Sequence, residues 1–169
     1  MKRIGLLSDT HGSISKRTLR FFENVDEIWH AGDIGTPELA DQLTAFKPLR
    51  AVWGNIDNHV LRRMYPETLR FTTEEVDVLM THIGGYSGKY DPRIRQELYS
   101  NPPKLFICGH SHILKVIFDK KLDCLCINPG AAGYKGFHAL CTALRFELEE
   151  GQIRNLEVLE FKREEFNID

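Results

Sequence analysis

Apolar runs and amphipathic stretches alternate through the first half of the chain. Residues 3–8 (RIGLLS), 27–32 (EIWHAG) and 49–54 (LRAVWG) are continuous apolar runs that stop at glycine or polar residues, the pattern of buried strands. Between them, residues 15–25 carry Leu19, Phe22 and Val25 at helical spacing. Residues 36–46 open with Thr36 as an N-cap and Pro37 at the first helical position. Strand, helix, strand, helix, strand predicts a parallel sheet with right-handed crossovers.

The rhythm then changes. Residues 69–82 read as two strands joined by a turn at Thr73-Glu74-Glu75. Residues 91–103 read as a helix halted by its prolines, and residues 104–109 (KLFICG) as another buried strand. From Ile113 onward the chain reads as strand alone, in segments 113–119, 122–128, 138–148 and 152–161, with turns at Lys120-Lys121 and Glu149-Glu150-Gly151. The sum is an α/β sandwich, two mixed β-sheets flanked by helices, in a single domain over residues 1–169.

Composition leaves this picture intact and narrows the function. A chain of 169 residues buries a core without staples, and 42% hydrophobic with 27% charged residues is an ordinary globular balance. The formal charge of -2 provides no basic excess, which disfavours nucleic acid as a partner. No apolar run is long enough to span a membrane, and the apolar piece after Arg3 is too short for a signal peptide. Cys108, Cys124, Cys126 and Cys141 sit in apolar context without disulfide spacing, the usage expected in a reducing cytoplasm.

The candidate chemistry lies where the strands stop. Asp9 and His11 follow GLLS, Asp33 follows IWHAG, Asn55 follows AVWG, His82 follows VLMT, and His110 with His112 follow LFICG. Open α/β sheets bind ligands beyond the carboxyl ends of their strands, so five segments can deliver these groups to one edge. Gly32, Gly54 and Gly109 are read as letting the backbone turn sharply there. Two Asp, one Asn and four His are mixed oxygen and nitrogen donors without thiolate, which suits Mn, Fe, Zn or Ni better than Ca or Mg. Seven donors exceed one tetrahedral ion and suit two ions sharing a carboxylate, the arrangement that activates water for phosphoryl displacement.

In this order, Asp9-x-His11, Gly32-Asp33, Gly54-Asn55-x-Asp57, His82 and Gly109-His110-x-His112 resemble the calcineurin-like metallophosphoesterase superfamily. The short chain, and INPGA at 127–131, are similar to its compact, YfcE-type phosphodiesterase branch. The resemblance implies a four-layer αββα sandwich and a dinuclear centre. One ion would take Asp9, His11, Asp33 and His112, and the other Asp33, Asn55, His82 and His110, with Asp33 bridging. It implies a small phosphoester substrate, phosphodiesters before monoesters, Mn²⁺ as the first candidate metal, attack by metal-bound hydroxide, and a homodimer or homotetramer. Asn55 and His110 become candidate catalytic residues. The same fold serves as a catalytically degenerate protein-binding scaffold in Vps29, the rival reading.

One position departs from the pattern. Many members carry His directly after the Asn and the compact branch often has Cys; this chain has Ile56, which cannot donate a proton. His59 is the candidate stand-in acid. Lys89 and Arg93, in or beside the Gly-rich stretch 83–93, are candidates to meet a substrate phosphate. Asp57 reads as structural, His30 as a packed strand residue, His138 as a histidine without a motif, and Cys108 as a small hydrophobe rather than a zinc ligand.

Overall fold

Period-two alternation decides which way each strand faces, and among the described residues it sorts the apolar side chains into three main cores and a small cluster of Cys141, Phe161 and Phe166. The computed structural model describes residues 1–168. In its first sheet, β1 (Lys2–Leu7), β2 (Glu27–His30) and β3 (Leu49–Ala51) run parallel. The late strands β11 (Leu140–Glu149) and β12 (Gln152–Lys162) complete it in the order β12-β11-β1-β2-β3, with β11 antiparallel to β1. The second sheet takes β4 (Thr68–Thr73), β5 (Val76–Thr81), β8 (Leu105–Ile107), β9 (Leu114–Asp119) and β10 (Cys124–Pro129) in the order β4-β5-β8-β10-β9. Its three central strands are parallel and its two edge strands antiparallel to their neighbours.

Ile4 and Leu6 of β1, Trp29 of β2 and Leu144 of β11 meet Val78 and Met80 of β5, Leu105 and Ile107 of β8 and Ile127 of β10 between the sheets. The alternate residues face outward. Leu7, Ile28 and Ala143 pack with Phe22, Leu39, Leu43 and Leu61, which follow or belong to α1 (Lys16–Phe21), α2 (Pro37–Phe46) and α3 (His59–Met64). Leu79, Phe106, Cys124 and Cys126 pack with Ile94 and Leu98 of α4 (Pro92–Ser100) on the far side. Helices, sheet, sheet, helix is the four-layer sandwich expected.

Local chemistry explains the boundaries. Thr36 caps α2 through its side chain, with Pro37 next, and Asp91 and Ser15 cap α4 and α1 likewise. Helix α1 ends at Phe21, earlier than the spacing through Val25 predicts, although Phe22 and Val25 are still buried. Helix α3 falls in a stretch read as loop: Asn58 accepts from the Leu61 amide and starts a turn too short to show periodicity. The stretch after His82 holds a small hairpin of β6 (Gly85–Tyr86) and β7 (Lys89–Tyr90), also not expected. Glu74 and Glu75 both take positive φ, 49° and 64°, at the two-residue turn between β4 and β5.

Leu144 is fully buried between the sheets. Leu144→Ala should cost about 2–5 kcal/mol in urea unfolding. A loss below about 1 kcal/mol would mean that this position collapses freely and the sheets are not closely packed there.

Candidate metal centre

β1, β2, β5 and β8 end on one side of the sandwich, and the residues just beyond them leave extended geometry at once. Asp9, His11, Asp33, His110 and His112 have φ of 54°, 47°, 56°, 74° and 62°. Left-handed backbone at a non-glycine residue costs on the order of 1–3 kcal/mol each and is tolerated where the surroundings impose it. Here it turns five side chains towards a common point.

Two groups of donors form there, Asp9 with His11 and His112, and Asp33 with His82 and His110, the donor atoms of each lying within 4.8 Å of one another. Each carboxylate divides its work. Asp9 Oδ2 accepts from the Ser8 hydroxyl at 2.6 Å and the His110 amide at 3.1 Å. Its Oδ1 has no hydrogen-bond partner and lies 3.2 Å from His112 Nε2, 3.7 Å from His11 Nε2 and 3.8 Å from His82 Nε2. Asp33 Oδ1 accepts from the Ile56 amide at 3.1 Å, while Oδ2 lies 3.2 Å from His82 Nε2 and 3.5 Å from His11 Nε2. Asp33 Oδ2 thus lies beside one imidazole of each group, as Asp9 Oδ1 does through His112 and, at 3.8 Å, His82.

The imidazoles are aimed in the same way. His82 Nδ1 donates to the Ala31 carbonyl at 2.7 Å, which leaves the Nε2 lone pair facing the carboxylates. His110 Nδ1 lies 3.0 Å from Asn55 Oδ1, so the amide joins the second group through His110. Asp9 Oδ1, His11 Nε2 and His82 Nε2 are buried and unpartnered, and a buried orphan of this kind costs about 1–3 kcal/mol. Three such atoms converging from two loops, of donor types that suit borderline divalent ions, fit bound cations.

Electrostatics agrees. Burial opposes ionisation of Asp9, but the His11, His112 and His82 imidazoles beside it and the Ser8 hydroxyl hold its carboxyl well below the usual range. The Asp9 carboxylate in turn raises His11. Burial works against charge on His82, yet Asp33 and Asp9 outweigh it and raise that imidazole too. Protons held there by the carboxylates are the ones a cation displaces.

Glycines let the loops come this close. A Cβ on Gly54 would lie 2.1 Å from Asp33 Oδ1, and one on Gly109 would lie 2.1 Å from Ser8 Oγ and 2.9 Å from Asp9 Oδ2. Of the three glycines singled out in the sequence, Gly32 has the positive φ, 100°, whereas Gly54 and Gly109 are needed for close approach rather than for a turn.

Other residues hold the loops. The buried Asp57 carboxylate accepts from the amides of Gly54 at 2.8 Å, Gly35 at 2.9 Å and Ile34 at 3.2 Å, the structural role expected of it. Asn128, in INPGA, donates to the Gly109 carbonyl at 2.9 Å and Ser111 Oγ at 3.0 Å, which pins the double-histidine loop. His30 is neutral: burial pushes it down to about 3, its Nδ1 accepts from the Gly32 amide, and its Nε2 meets the Thr10 hydroxyl. Ser8 carried no sequence signal beyond its place before Asp9. His138, set aside for want of a motif, lies buried and edge-on to His112, with ring centroids 5.2 Å apart.

The remaining candidates lie further out. Arg93 shares a cleft with Asn55, His82 and Arg62, and its exposed guanidinium pairs with Asp91. Arg62 spans the cleft wall, bonded to the Asp57 and Asn55 carbonyls and stacked 4.1 Å over Trp53. Lys89 is exposed on β7 and lines neither this cleft nor the one beside His110. His59 opens α3, exposed, and Ile56 is 46% exposed beside Asn55.

The model of the calcineurin-like phosphoesterase superfamily domain matches residues 1–151. A probable metallophosphoesterase of Methanothermobacter thermautotrophicus is 28% identical over 133 residues, 76% of each chain. Among solved structures, a novel archaeal phosphodiesterase superposes with a TM-score of 0.69 at 21% identity, covering 93% of this chain and 99% of its own. A zinc-complexed Vps29 of Entamoeba histolytica superposes with a TM-score of 0.72 at 14% identity, covering 95% and 99%. With the two donor groups at the sheet edge and the family model running across most of its length, this chain belongs to the calcineurin-like phosphoesterase superfamily.

Proposed function

We propose that this chain is a phosphodiesterase working with two divalent cations, Mn²⁺ first among them. The observation that carries this reading is the pair of three-residue donor groups with Asp33 set between them. Asp9, His11, Asp33 and His112 would hold one cation, and Asp33, Asn55, His82 and His110 the other. When bound, such a pair supplies Lewis acidity and a nucleophilic water at neutral pH.

The chain's own residues do the rest. Asn55, held at His110 and open to the cleft, orients a phosphoryl oxygen. Arg93 and Arg62 line that cleft and balance the charge of the bound ester, a role that Lys89 would share only if its hairpin swung inward. Ile56 supplies no proton to the departing alcohol, so esters of acidic alcohols are the favoured substrates. His59 is the nearest sequence candidate for that acid, and its exposed place at the start of α3 makes it dispensable for activated esters. The four free, buried cysteines support a reducing, cytoplasmic setting. Orphaned Asp9 Oδ1, His11 Nε2 and His82 Nε2 suit a bound cation under the scaffold alternative too, since one Vps29 neighbour is itself complexed with zinc, and turnover of a phosphodiester is what separates the two readings.

Metal analysis after Mn²⁺ loading should give two ions per chain, and Asp33→Asn should give one or fewer with at least a hundredfold loss on bis-aryl phosphodiesters. Full occupancy in the variant would remove Asp33 from the shared position. Loading at about a hundredfold above Kd should stabilise by about 2.7 kcal/mol and raise Tm by about 5–10 °C. No shift on calorimetry would count against a preformed site.

Gly54→Ala should lower Tm and bind Mn²⁺ at least tenfold more weakly, because the new methyl meets both the Asp33 carboxylate and the Asp33 backbone nitrogen; calorimetry and isothermal titration read the two effects. Ile56→His should speed cleavage of a diester with an alkyl leaving group by on the order of tenfold or more, with little change on the bis-aryl ester. Equal effects on both substrates would show that proton donation is not what position 56 lacks. His59→Ala should change the bis-aryl rate by less than about twofold.

A further inference from the structure

The end of β5 separates two clefts that differ in character. Ile83 lines both. On one side are Asn55, His82 and the two arginines; on the other is a cleft of about 710 Å³, open mouth included, that reaches His110 and Ser111 at its rim. Both therefore border the second donor group.

The second cleft carries Asp91, His110, Ser111, Lys115 and Asn128 in its lining, but its floor is apolar and has no spare hydrogen-bonding capacity. Tyr90, Phe106, Cys108 and Cys126 form that floor. The Tyr90 hydroxyl is committed to Asp119 at 2.5 Å, and the Cys108 thiol points to the Gly85 carbonyl at 3.7 Å. The buried atoms left without partners among the described residues lie elsewhere, on Asp9, His11, His82 and His138. A hydroxylated or charged group entering here would lose water without replacement, whereas an apolar group would gain burial. At the mouth, Lys115 Nζ lies 4.7 Å over the half-exposed Tyr86 ring, a cation and an aromatic edge that a second ring can join.

We propose that this cleft is the subsite for one ester arm of the substrate and that the arm it selects is an apolar aromatic ring. This rests on the phosphodiesterase reading above. The ring would pass His110 and lie between Ile117 and the Tyr86–Lys115 pair, while the phosphoryl group remains at the donor groups and the other arm faces the arginine-lined cleft. The ring is an aryl group attached directly to the ester oxygen; the base of a nucleoside ester, whose N–H and C=O groups would find no partner on this floor, is the outcome the test sets against it.

Binding tests this without turnover. Protein loaded with diamagnetic Zn²⁺ is titrated with phenylphosphonate and with methylphosphonate, followed by calorimetry and by methyl NMR of Ile83 and Ile117. Phenylphosphonate should bind about tenfold or more tightly and shift both isoleucine methyls, and methylphosphonate should leave Ile117 unmoved. The thymidine 5′-ester of methylphosphonate separates the two sources, since it shifts Ile117 only if a base reaches the cleft. Ile117→Trp, which fills the cleft from an exposed strand, should reduce the phenyl-over-methyl preference at least fivefold. Equal affinities with Ile117 unmoved in the native protein would overturn the subsite and leave the phosphodiesterase reading standing. Failure of both phosphonates to bind the Zn²⁺-loaded protein would overturn both.

Discussion

Two buried carboxylates, each with one oxygen satisfied by the chain and the other turned towards imidazoles, are the constraint on which this molecule is arranged. Asp9 and Asp33 are almost fully buried, and in an apolar interior an ionised carboxylate survives only with close partners. The fold provides them from one side through Ser8, the His110 amide and the Ile56 amide. The other side is left to the imidazoles. Left-handed backbone, glycines without room for a methyl group, and unpartnered nitrogens all follow from bringing like charges so near one another. Each is unfavourable alone, and they are sustained together because the two sheets behind them are rigidly packed.

That rigidity comes from the layered cores. Trp29, Phe146 and Leu144 lock the first sheet to the second, so the ends of β1, β2, β5 and β8 hold fixed positions relative to one another. Loops then need to travel only a few residues to reach the centre. The outer cores act differently. They seat α2 and α3 against the first sheet and α4 against the second, which leaves the sheet edge clear.

Much of this was legible in the chain because strand periodicity and strand-ending residues are local signals. Asp9, Asp33, His82, His110 and His112 each follow an apolar run directly, so finding the runs located the donors and the topology brought them together. What stayed hidden depends on contacts distant in sequence. Asn128 is an ordinary polar residue until its partner at Gly109 is known. His138 carries no motif because its neighbour His112 lies 26 positions earlier, and the ring contact exists only in the folded protein. Helix α3 escaped notice because its capping residue, Asn58, sits in GNIDN, which reads equally well as a turn. The gap between the two clefts could not be foreseen, since it depends on Ile83 standing between loops from different sheets.

The seating of β11 between β1 and β12 has a consequence for biosynthesis. Lys2 pairs with Leu148, and Leu6 with Leu144, so an early strand of this domain completes its ladder with a late one. Until then β1 has a bare edge, and the Asp9 loop lacks the Gly133 and Ala132 amides that donate to the Asp9 and Ser8 carbonyls. Closing so long a loop is slow by topology alone. A nascent chain will therefore hold its acidic pocket unfinished until β11 has been made.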